Sequence, residues 1–289
     1  MTMDFIKHIL WATDYSEESQ EALLYAGFFA KTFGAKLSAL HVVPDFSPVL
    51  YESLPAIEAE LTGRIEEATA SAKARIKEIS AAQGIAFDSV LVKKGSPAKA
   101  ICQAANTEKA DLIVIGPAGA SASSRTAIGS VANQVLRSSL VPVLVTKKRK
   151  GGPAVKKILV PTDFSGREEA ERDWAWKLAK GFKGSLGFLY VMELFGHDFR
   201  LTDELFKAVL EKLKARRAKE HEDVPIIEDV YKAHSAAAGV VDYASIHHYD
   251  MIVMSTHVGR VARFLLGSTT EKVIAESPIP VFAIPPGKV

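Results

Sequence analysis

Short apolar runs rich in β-branched residues alternate along the chain with longer stretches whose apolar positions recur every three or four residues. The first pattern predicts strands and the second predicts helices. Their regular alternation predicts βαβ units and a parallel sheet. In the first half the strands fall near 6–12, 36–43, 87–93, 111–115 and 141–146, and the helices near 17–33, 56–83, 97–109 and 130–139. The second half repeats this order.

The repetition extends to the letters. "ILWATDYS" (9–16) returns as "ILVPTDFS" (158–165), "LSALHVV" (37–43) as "LGFLYVM" (186–192), "ADLIVIG" (110–116) as "YDMIVMS" (249–255), and "SLVPVLV" (139–145) as "SPIPVFA" (277–283). The offset between copies is 149 at the first motif and 138 at the last, so the second copy is shorter, and the loss falls between residues 43 and 111. A fixed self-similarity of this kind means one folding unit written twice. Residues 1–147 form the first domain, 148–155 a linker and 156–289 the second, because "KKRKGGPAV" (147–155) carries a glycine pair and a proline that do not continue a strand. Its basic run reads as a solvated connector.

Composition leaves this picture standing. The 289 residues are 48% apolar and 24% charged, and 36 basic against 34 acidic side chains give a formal charge of +2. Nothing in that balance demands nucleic acid or an anionic membrane. One cysteine, Cys102, cannot form an internal disulfide or a cysteine-based metal site, and its place in "AICQAA" reads as an inert core position. A reducing cytoplasm fits. The N-terminal "MTMDFIKHIL" lacks an apolar h-region behind a basic start, so neither secretion nor membrane insertion is expected.

The candidate chemistry lies in "GPAGASASSRTAIGS" (116–130), between an apolar strand and a helix. Gly116 and Gly119 follow the strand, and Gly129-Ser130 opens the helix. Glycines let main-chain N–H groups approach a ligand without Cβ interference, and a helix start adds unpaired donors and a partial positive charge. The arrangement predicts an anion cradle. It is neither a Walker A loop nor a compact GxGxxG, since its spacing is Gly-x2-Gly-x9-Gly-Ser. Ser121, Ser123 and Ser124 add hydroxyl donors or keep the loop soluble, and Arg125 reaches a terminal phosphate or stays in solvent. Asp14 and Asp163 close the first strand of each copy, where open α/β sheets place ligand contacts. Ser16 is a plausible N-cap and "Ser165-Gly-Arg-Glu168" a capping-box pattern, and Asp14 itself could serve as a helix cap. His41 and His257 fall near predicted strand ends beside the pocket.

The "TDYS/TDFS" first turn, the "HVV" second strand, "GSPAKAI", the glycine loop and the "VPVLV" last strand, in that order, resemble the ATP-binding universal stress proteins. The resemblance covers nearly the whole chain. It implies an α/β fold of two tandem, doubly wound, Rossmann-like parallel five-stranded sheets, forming an internal pseudo-dimer through their last strands, and it allows a further homodimer. It implies that Ala12, Thr13 and Asp14 line the adenosine side, that the Val42 main chain reads the adenine edge, and that Ile115, Gly116, Gly119, Gly129, Ser130 and Val131 surround ribose and phosphates. The ligand it implies is ATP, or ADP or AMP, with Mg2+ across the phosphates. The role it implies is that of a cytoplasmic, nucleotide-dependent sensor or regulator in a stress response.

Two other functional classes share the pocket. A slow ATPase or phosphoryl-transfer enzyme would use it, but no base, Walker lysine or arginine-finger pattern is evident. A nucleotide-independent interaction module is the other. The second loop, "STHVGRVARFLLGS" (255–268), is one residue shorter and puts Ser255 and Val258 where glycines are wanted. Pairing Gly259 with Gly119 instead leaves Thr256 at the first glycine, so neither alignment restores the motif. Asp163, Val191, Gly267 and Ser268 persist, and the second half is expected to bind weakly or not at all.

Overall fold

Parallel strands covered on both faces are apolar throughout, and the runs in this chain fold accordingly. The computed structural model describes residues 5–43, 55–119, 128–164, 169–193, 202–215, 223–256 and 266–285. The first half runs β1 (His8–Thr13), α1 (Glu17–Phe33), β2 (Lys36–Val43), α2 (Pro55–Gln83), β3 (Ser89–Lys94), α3 (Pro97–Thr107), β4 (Leu112–Ile115), α4 (Ser130–Ser138) and β5 (Val143–Val145). The second half repeats it as β6 (Lys157–Thr162), α5 (Glu169–Phe182), β7 (Ser185–Glu193), α6 (Thr202–Ala215), β8 (Ile226–Ala233), α7 (Ala236–Ile246), β9 (Met251–Ser255), α8 (Ser268–Glu276) and β10 (Val281–Ile284). The shortening of the second copy falls between its second and third strands, where α2 has 29 residues and the described part of its counterpart, α6, has 14.

Local signals explain the ends. Ser16 caps α1 by accepting from the Ser19 N–H, and Gly34 ends it in the left-handed region at φ 68°. The copies share backbone exceptions as well. Tyr15 and Phe164 have φ of 70° and 59°, and Lys109 and His248 have 54° and 55°, each pair at equivalent positions. The expected capping box at Ser165–Glu168 lies outside the described residues.

Each half orders its strands 3-2-1-4-5, and the two five-stranded units join into one ten-stranded sheet, β3-β2-β1-β4-β5-β10-β9-β6-β7-β8. All pairings are parallel except β5 with β10. One face is covered by α1, α2, α5 and α6 around Trp11, Tyr25, Phe29 and Phe282, and the other by α3, α4, α7 and α8 around Leu10, Ile113, Val135 and Ile274.

The junction has a pseudo-two-fold axis that can be located residue by residue. In the sheet, Leu144 pairs with Phe282, its own repeat equivalent at the offset of 138. On one face Phe33 meets its equivalent Phe182, with ring centroids 5.1 Å apart and the rings at 73°. On the other face the Asn133 amide donates to the carboxylate of its equivalent, Glu271, at 2.9 Å. Antiparallel pairing of the two last strands leaves neither as an exposed edge. Among the described residues no helix is long and apolar enough to cross a membrane.

Candidate functional site

The strand order reverses between β1 and β4, and at such a switch point the two chains leave the sheet in opposite directions and open a crevice. β1 ends at the buried Thr13, whose Oγ1 accepts from the Tyr15 N–H at 3.0 Å and shares a hydrogen bond with Ser19 Oγ at 2.9 Å. Asp14 projects from this turn and is exposed. Its Oδ1 accepts from the Ser16 N–H at 3.1 Å and the Ser16 hydroxyl at 2.6 Å. One carboxylate oxygen therefore supports the cap residue of α1, which answers part of the capping alternative. The other lies against the glycine loop, where a Cβ on Gly119 would sit 2.5 Å from Oδ2.

Each glycine of that loop stands where a side chain would collide, and none has a positive φ. A Cβ on Gly116 would meet the Glu18 main chain at 2.9 Å, so this glycine lets the first turn of α1 close over the end of β4. A Cβ on Gly129 would stand 3.0 Å from Ala118 Cα. There the Gly129 N–H donates to the Pro117 carbonyl at 2.8 Å and ties the start of α4 to the end of β4. Gly129 is the residue before α4 at φ −62°, and its side makes no cap hydrogen bond, so the first amides of α4 around Ser130 and the half-exposed Val131 open the helix without a side-chain acceptor.

The sequence-expected residues are thereby assigned places. Asp14, Gly119 and Gly129 converge at the crevice, Ser130 and Val131 begin α4, and Gly116 packs one step below. Ala12, Val42 and Ile115 are buried at the C-terminal ends of β1, β2 and β4, and the Ile115 carbonyl accepts from Thr146. Ser121, Ser123, Ser124 and Arg125 lie outside the described residues.

A second feature was not expected. The ring of Tyr15, held left-handed, stacks on His41 with centroids 4.4 Å apart, and the Arg75 guanidinium of α2 lies 4.5 Å over it. His41 Nδ1 donates to the Thr13 carbonyl at 2.8 Å, since a carbonyl only accepts, and the Tyr15 hydroxyl donates to the Ala72 carbonyl at 3.2 Å. Burial pushes the Tyr15 phenol up to about 12, with Arg75 opposing it. The second half builds the same stack from Phe164, Tyr190 and Lys212, at 4.9 Å and 4.5 Å. These clamps hold the turn that carries Asp14 or Asp163. The left-handed aromatic after "Thr-Asp" is a local signal that tertiary contacts alone make visible.

The second crevice differs in detail. The Gly267 N–H donates to the Thr256 carbonyl at 2.9 Å, repeating the closure of the first loop. Ser255 stands at the position of Gly116, and Thr256, buried, at that of Pro117. Glu193 at the end of β7 accepts from the Ala236 N–H at 2.6 Å and so places a carboxylate at the start of α7, where Ser235 also caps. His257, Val258 and Gly259 lie outside the described residues.

A family model, the universal stress protein family, matches residues 6–147 and again 154–285. The chain belongs to the universal stress protein family. A universal stress protein of Methanocaldococcus jannaschii is 37% identical over 146 residues, 50% of this chain and 84% of that one. A universal stress protein of Thermus aquaticus is 37% identical over 144 residues, 49% of this chain and 98% of its own. The crystal structure of a universal stress protein from Archaeoglobus fulgidus superposes with a TM-score of 0.68 over 97% of both chains at 24% identity, which shows that the tandem fold is shared. The relatives thus match one half of this universal stress protein, and the fold neighbour matches both.

Cys102 is half-buried on α3, packed against the core layer rather than inside it. It lines an open groove of about 310 Å³ with Ser96, Lys99, Gln103, Asn106 and Gln134. Burial pushes its thiol up to about 11. At pH 8 the thiolate fraction is then on the order of a hundredfold below that of an exposed cysteine. Ellman's reagent is expected to label the folded chain correspondingly slowly and the unfolded chain at once. Equal rates would show that Cys102 is an ordinary surface thiol.

Proposed function

We propose that this universal stress protein binds an adenine nucleotide, ATP or its ADP or AMP products, in its first half and acts as a nucleotide-dependent sensor or regulator in the cytoplasm. The observation that carries the reading is the meeting of Asp14 with the Gly119–Gly129 closure at the switch point, beside the uncapped start of α4. A carboxylate suits ribose hydroxyls, and main-chain donors at a helix start suit phosphates. Ala12, Thr13 and the Val42 main chain bound the adenosine side, while Ile115, Gly116, Ser130 and Val131 complete the phosphate side. Mg2+ would be held through the phosphates. We assign residues 1–147 to the nucleotide-binding domain, 148–155 to the linker and 156–289 to the second domain. The linker reading is supported by Gly151 and Gly152 at φ 87° and 83°, between Arg149, which pairs with Asp250, and Val155, which is buried.

Native mass spectrometry of the purified chain, followed by calorimetry with ATP and Mg2+, tests the proposal. One adenine nucleotide per chain, with negligible phosphate release over hours, is the expected result. No bound nucleotide and no heat would remove it, and steady turnover would replace it with the enzymatic reading.

A further inference from the structure

The pseudo-two-fold axis brings repeat-equivalent residues face to face, so any residue type that cannot face itself there decides which surfaces may pair. We propose that the junction carries two such locks, one on each face of the sheet, which make it heterotypic: a first half accepts a second half, and each half rejects a copy of itself.

The first lock is polar. Asn133 of α4 donates to Glu271 of α8, and these are equivalent positions. Arg137 reinforces the pair, its Nε donating to Asn133 Oδ1 at 2.6 Å and its Nη2 lying 3.6 Å from the other Glu271 oxygen. The equivalent of Arg137 is Ala275. Two second halves paired in this geometry would set Glu271 against Glu271, with alanine on both sides where Arg137 stands in the first half. Both carboxylates would be half-desolvated and of like charge.

The second lock is steric. On the other face Phe33, 5% exposed, lies in the space left by Gly181 of α5, and a Cβ there would collide with the Phe33 ring. The equivalent of Gly181 in the first half is Thr32. Two first halves paired in this geometry would drive Thr32 into Phe33. A second-half pair would pass this lock and fail the polar one, and a first-half pair would pass the polar lock and fail this one. Neither device depends on nucleotide, and both lie on the junction rather than at the crevice.

At each lock a single substitution in the intact chain brings like residues together, at the polar lock with Arg137 still present. Asn133→Glu places glutamate on both sides of the axis, and Gly181→Thr places threonine where the first half has it. Helix propensity favours both changes, so a loss of stability cannot come from the helix itself. Thermal unfolding of the full chain is expected to show Asn133→Glu lowered by about 2–4 °C, with the half-exposed setting keeping the shift modest. Gly181→Thr is expected to lose about 5 °C, because the residue it meets is buried and close-packed. The exchange N133E/E271N should return to within about 1 °C of the native midpoint, since the acid is then paired with an amide again and Arg137 follows it. Phe33→Leu should recover part of the loss in the G181T background. Native-like melting of either single variant, or an exchange variant no more stable than N133E alone, would overturn the proposal.

Discussion

Gly119→Val in the full-length chain is expected to abolish measurable ATP binding while the circular dichroism spectrum stays native. The Cβ alone would stand 2.5 Å from Asp14 Oδ2 and would meet that side chain rather than main chain, so what must move is the end of a flexible side chain. The sheet can absorb that shift, whereas the crevice loses the position of its carboxylate and gains two methyl groups where phosphates would approach main-chain donors. Loss of two charge-assisted hydrogen bonds, at roughly 1.5–3 kcal/mol each, weakens binding by on the order of a hundredfold to ten-thousandfold. Gly129→Val should behave differently. Its Cβ would press on Ala118 Cα and the Pro117 carbonyl, at 3.0 and 3.5 Å, so the closure itself opens and some stability goes with it. Calorimetry with ATP and a melt on both variants separates the cases. Unchanged affinity in a natively folded Gly119→Val would refute the cradle.

The contrast between these two glycines marks how far the letters alone could be read. Strand and helix positions followed from periodicity, and α1 begins and ends where Ser16 and Gly34 say it should, because capping is a contact between near neighbours. β5 contracts from 141–146 to Val143–Val145, and its later start follows from Pro142, which has no N–H to give a ladder. The crevice was legible as a set of residues because strand ends and helix starts share one edge of a parallel sheet. Why each glycine is needed was not legible. Gly116 answers to the Glu18 main chain, almost a hundred residues earlier, and Gly129 to the far side of its own loop. Separation in sequence likewise hid the Tyr15–His41–Arg75 clamp and the Asn133–Glu271 contact. A repeat can be read from one sequence, but which repeated residues meet at the axis depends on how the two copies dock.

Titration of the intact chain with ATP is expected to fill one site per chain, and Asp14→Asn to weaken it while Asp163→Asn leaves it unchanged. The two crevices share a closure, a clamp and an acidic residue, so the difference comes from the lip of the loop and from the charge placed near it. In the first half the missing Cβ of Gly116 admits the Glu18 main chain, and that of Gly119 admits the Asp14 carboxylate. In the second, Ser255 stands at the first of these places, followed by the buried Thr256, and the loop is one residue shorter. Glu193 adds a fixed negative charge at the start of α7, close after Val191, the counterpart of Val42, and it disfavours an anionic ligand there. Losing two or three phosphate hydrogen bonds, at roughly 1.5–3 kcal/mol each, separates the halves by several orders of magnitude in affinity. Asp163 and the Gly267–Ser268 helix start offset part of that. Two equal sites, or a single site abolished by Asp163→Asn and indifferent to Asp14→Asn, would place the functional loop in the other half.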